Sequence, residues 1–70
     1  DSVSLINGVK AGSWDVEGLT QAEINAMVQR NVDHLEVILE YTDPDVKGSS
    51  DSKTSYTTAI TDGKAYIAAN

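Results

Sequence analysis

Apolar residues recur at helical spacing in three stretches of the chain. The strongest pattern runs from residue 20 to about residue 42. Counted at 100° per residue from Ile24, the side chains of Met27, Val28, Val32, Leu35, Ile38 and Leu39 fall within one broad stripe, as in a helix packing into a core. Its start is marked twice. Thr20 and Glu23 form a T-x-x-E capping box, and Leu19 and Ile24 occupy the positions of a hydrophobic staple. Asp43-Pro44 sets the expected end, because the Pro44 ring disfavours helical geometry at Asp43 and offers no amide hydrogen.

A shorter helix is predicted over residues 2–11, with Ser2 as its cap, Leu5, Ile6 and Val9 on one side, and Gly12 as its stop. Gly8 weakens it by roughly 1 kcal/mol relative to alanine. The connector at 12–18 holds Trp14, the only tryptophan, which with Val16 is expected to fold back over the core. Residues 43–54 are polar, carry the only proline, and read as an exposed loop.

Two patterns compete in the last segment. Tyr56, Ala59, Ile60, Gly63 and Ile67 follow helical spacing, with Ser52 or Ser55 available as a cap. Thr54, Thr57, Thr58 and Thr61 oppose a helix, and Asp62-Gly63 between Ile60-Thr61 and Lys64-Ala65-Tyr66-Ile67 is a type I′ hairpin signal. Ala65, Ala68 and Ala69 favour the helix. The predicted fold class is therefore all-α: a small three-helix domain with one long central helix. Its helices span roughly 2–11, 20–42 and 55–68 around Leu5, Ile6, Ile24, Val28, Leu35, Ile38, Ile60 and Ile67. The alternative is an α+β domain ending in a C-terminal β-hairpin.

Composition narrows the function classes. A chain of 70 residues makes one small helical domain over 1–70, and the absence of cysteine excludes disulfides and thiolate metal sites. A domain this short buries only roughly 60% of its unfolded surface, so burial against a partner adds appreciably to its stability. Eleven acidic residues against five basic ones give a net charge of −6. The basic residues Lys10, Arg30, Lys47, Lys53 and Lys64 are scattered, whereas a phosphate backbone requires clustered cations. Neither nucleic acid nor an anionic membrane is an expected partner. The densest acidic stretch, Asp33, Glu36, Glu40, Asp43 and Asp45, fits a solubilising surface better than a DNA mimic. Apolar runs such as Val37-Ile38-Leu39 are far short of the ~20 residues of a membrane span. No signal-peptide pattern opens the chain, and with Asp1 in place of methionine a processed, trimmed or incomplete start is expected.

Reactive chemistry finds little support. His34, the single histidine, lies between Asp33 and Glu36 without the second histidine of an H-E-x-x-H motif, and reads as a flank residue beside the core stripe. Asp43-Pro44-Asp45-Val46-Lys47-Gly48 opens like a calcium loop. Lys47 at its fifth position and Thr54 at its twelfth lack the required carboxylates, so an acidic turn is expected. There is no G-x-S-x-G elbow, and Gly8, Gly12, Gly18, Gly48 and Gly63 are too dispersed to cradle phosphate. No catalytic residue, cofactor or metal is expected, and the protein is not expected to be an enzyme.

The more informative pattern is on the flank of the long helix. Arg30, His34, Val37 and Tyr41 gather beside the core stripe, with Ala26 small enough for close approach. Arginine and tyrosine are enriched where proteins meet, since each combines contact area with a hydrogen-bonding tip. These four residues and Trp14 are the candidate protein interface. Alternatively, Val37 and Tyr41 widen the core stripe to receive the N-terminal helix or Trp14. Asn31 lies in mid-stripe and needs partners for its amide. They could come from the 12–18 backbone or from a register-fixing contact in a helical assembly.

The helix A-E-I-N-A-M-V-Q-R-N-V-D-H-L-E (22–36), following V-K-A-G (9–12) and preceding A-I-x-x-G-K-A-Y-I (59–67), resembles small uncharacterised virion proteins of tailed bacteriophages. The chain departs from them at 47–58. The resemblance implies a mostly helical fold and a minor capsid, neck or tail component, and it assigns no functional residue. The expected function is a non-enzymatic structural or assembly protein that binds a protein neighbour or forms a homo-oligomer. By resemblance it belongs in the virion, and otherwise in the cytoplasm. The rival expectation is a soluble regulatory module that inhibits or recruits an enzyme.

Overall fold

The computed structural model describes residues 1–41 and 53–70, which form three α-helices: α1 (Ser2–Ala11), α2 (Gln21–Tyr41) and α3 (Lys53–Ala69). The architecture is all-α, and the hairpin alternative is overturned. Asp62-Gly63 lies inside α3, where Gly63 is buried against α2. The chain runs up, down and up. Ser2, at the start of α1, bonds Asn31 in the second half of α2, and Tyr66, near the end of α3, bonds Gln21 at the start of α2.

Local chemistry accounts for both ends of α1 and the start of α2. Gly12 terminates α1 at φ 79°, a left-handed conformation that costs glycine nothing, and the Ser13 and Trp14 amides donate to the Gly8 carbonyl. The N-cap of α1 differs from expectation. Asp1 accepts the Ser4 amide at 2.9 Å, while Ser2 lies within the helix and is buried, one position too far along to cap it. At the start of α2 the capping box forms as the pattern requires: the Glu23 amide donates to Thr20 Oγ1 at 3.1 Å, and the Thr20 amide to Glu23 Oε1 at 2.9 Å. Helix α3 begins at Lys53, so Lys53 and Thr54 are helical rather than loop and Ser55 is too far along to cap. The expected stop at Asp43-Pro44, the loop and calcium-like turn over 43–52, and the Ser52 cap lie outside the described residues.

The core consists of Val3, Ile6 and Val9 from α1, Ile24, Val28, Val32 and Leu35 from α2, and Ala59 from α3. Leu5, Ile38, Ile60 and Ile67, expected at its centre, are half-buried around it. On α3 the buried positions are the small residues Ala59 and Gly63, with Gly63 against Val32 of α2, and the larger Ile60 and Ile67 stand at the margin.

Candidate functional site

Helix α2 carries the flank whole. Arg30, His34, Val37 and Tyr41 lie on one side of its C-terminal half, and all four are exposed. Val37 retains 52% of its surface and Tyr41 77%. They therefore do not widen the core stripe to receive α1 or Trp14. Helices α1 and α3 cover the face bearing Val28, Val32 and Leu35, and the flank is turned aside from them.

Trp14 stands apart from these four. It belongs to the turn after α1, and its ring packs over Gly8 so closely that a Cβ there would stand 2.9 Å from Trp14 Cε3. At 37% exposed it covers α1 and leaves one side free, while Val16 packs half-buried against the core. The connector thus folds back as expected, but it adds no tryptophan to the α2 flank.

Carboxylates border the flank. Asp33, Glu36 and Glu40 occupy the neighbouring stripe of α2, where Asp33 accepts from Gln29 Nε2 at 2.9 Å and Glu36 pairs with Lys64 at 3.3 Å. Lys10 pairs with Asp62 at 3.0 Å and ties α1 to α3. Such exposed pairs contribute little stability, with a median of about 0–1 kcal/mol. Val37 and Tyr41 thus stand as an apolar strip beside an acidic edge.

His34 also edges a shallow cleft of about 150 Å³ shared with Asp1, Ser2, Val3, Leu35, Ile38 and Tyr56. A second cleft, of about 340 Å³, lies between α1 and α3 and is lined by Val3, Asn7, Thr54, Ser55, Thr58 and Ala59. Both open to solvent. Among the described residues no cluster of three or more histidine or carboxylate side chains could hold a metal ion, and no buried side-chain polar atom lacks a partner.

Asn31 finds its partners in Ser2 and Met27 and not in the 12–18 backbone. Its Nδ2 donates to the Met27 carbonyl at 2.8 Å, and its Oδ1 accepts from Ser2 Oγ at 2.8 Å. The contact joins α1 to α2 and fixes their register within one molecule.

A second surface went unremarked in the sequence pattern. Along α3, Thr54, Thr57, Thr58, Thr61, Ala65 and Ala68 are all exposed and uncharged, and Thr54 and Thr58 among them also edge the cleft beside α1. The signal was present as a 3.6-residue recurrence of threonine and alanine, but the threonines weigh toward strand when taken one at a time. Comparison of the chain with protein-family models, curated proteins and solved structures gives no match. A functional proposal therefore starts from the fold and these surfaces.

Proposed function

We propose that this protein is a non-enzymatic binding protein that docks a protein neighbour through the α2 flank, as a repeated subunit of an assembly. The observation that carries it is the joint exposure of Val37 and Tyr41 beside Arg30 and His34 on one helix face. Docking buries the two apolar side chains at roughly 25 cal/mol per Å² of apolar surface removed from water. Tyr41 is the anchor, Arg30 sets direction through charge-assisted hydrogen bonds, and exposed Ala26 permits close approach. The charge of −6 keeps unassembled copies apart. The resemblance to tailed-phage proteins places the assembly in a virion, as a minor capsid, neck or tail component; that part of the proposal rests on the resemblance alone.

Sedimentation of the full chain, alone and with tailed-phage particles, tests the proposal. Self-association or co-sedimentation that is lost in Val37→Ser and Tyr41→Ser, with helicity unchanged, supports it. A chain that stays monomeric and leaves particles untouched overturns it. That outcome favours a regulatory module that inhibits or recruits an enzyme, a reading helped by the small extent of the flank, which exposes only two large apolar side chains.

A further inference from the structure

No further inference is drawn: the strongest candidate, the uncharged surface stripe of α3 formed by the exposed Thr54, Thr57, Thr58, Thr61, Ala65 and Ala68, is a stripe of small residues and nothing in the structure shows what covers it.

Discussion

Gly63 of α3 lies against Val32 of α2 so closely that a Cβ on Gly63 would stand 2.6 Å from Val32 Cγ2 and 3.4 Å from Val28 Cγ1. Both residues are buried, and no L side chain fits at position 63 without movement. The glycine that resembled a hairpin turn is the point where two helices touch.

Gly63→Ala tests this contact. In an isolated helix the change gains about 1 kcal/mol, whereas overpacking a filled core typically costs about 1–3 kcal/mol. The variant is expected to unfold at lower urea concentration than the parent. Combining it with Val32→Ala removes the opposing methyl, so the double variant is expected to lose less than the sum of the two single losses. A Gly63→Ala protein more stable than the parent would refute the close approach.

The Ser2–Asn31 bond makes a second cycle. Asn31→Ala leaves the part-buried Ser2 hydroxyl without its acceptor, and Ser2→Ala leaves Asn31 Oδ1 without its donor. Each is expected to cost about 1–2 kcal/mol in chemical denaturation. Once one partner is gone, removing the other is expected to cost much less. Strictly additive losses would show that the bond does not couple α1 to α2.

Glu23 links the α2 cap to pH. The Thr20 backbone amide, with the Thr20 hydroxyl adding to it, holds the Glu23 carboxyl below the usual glutamate range, and desolvation opposes this weakly. A carboxyl depressed on folding stabilises the folded state above its unfolded pKa, and that contribution is lost as pH falls through the lower folded value. Melting temperatures measured from about pH 5 down to about pH 2 are expected to fall more steeply for the parent than for Glu23→Gln. Parallel curves would mean that the cap carries no acid sensitivity.

At Gly8, helix preference and packing pull in opposite directions. Gly8→Ala favours the isolated α1 helix by about 1 kcal/mol, yet the new methyl would meet Trp14 Cε3 at 2.9 Å and Trp14 Cβ at 3.3 Å. The ring must move outward. Trp14 fluorescence is expected to shift to the red with little change in unfolding midpoint. An unshifted spectrum would place the ring elsewhere.

Val37 and Tyr41 are expected to matter for binding and not for folding. As exposed side chains, Val37→Ser and Tyr41→Ser are each expected to change stability by no more than about 0.5 kcal/mol. A loss of several times that in thermal unfolding would show that they pack within the protein, and would remove them from the proposed interface.

Much of what local chemistry sets was legible in the sequence, although the α1 cap fell to Asp1 and not to Ser2. The Thr20–Glu23 box, the Gly12 stop and the stripe from Ile24 to Leu35 depend on residues within a few positions of one another, and each stands where the pattern placed it. Grouping Arg30, His34, Val37 and Tyr41 on one face needed only the helical repeat. Periodicity could not say whether Val37 and Tyr41 were covered, because that depends on which sides of α2 the other helices occupy.

The tertiary structure decided where segments fold back to share the same space. Gly63 lets α3 pass close to Val32, Trp14 returns over Gly8, and Asn31 Oδ1 accepts from Ser2, 29 positions away. Helix signals act over one turn of chain and are written into neighbouring residues, whereas close packing is a relation between surfaces that meet only once the chain has folded.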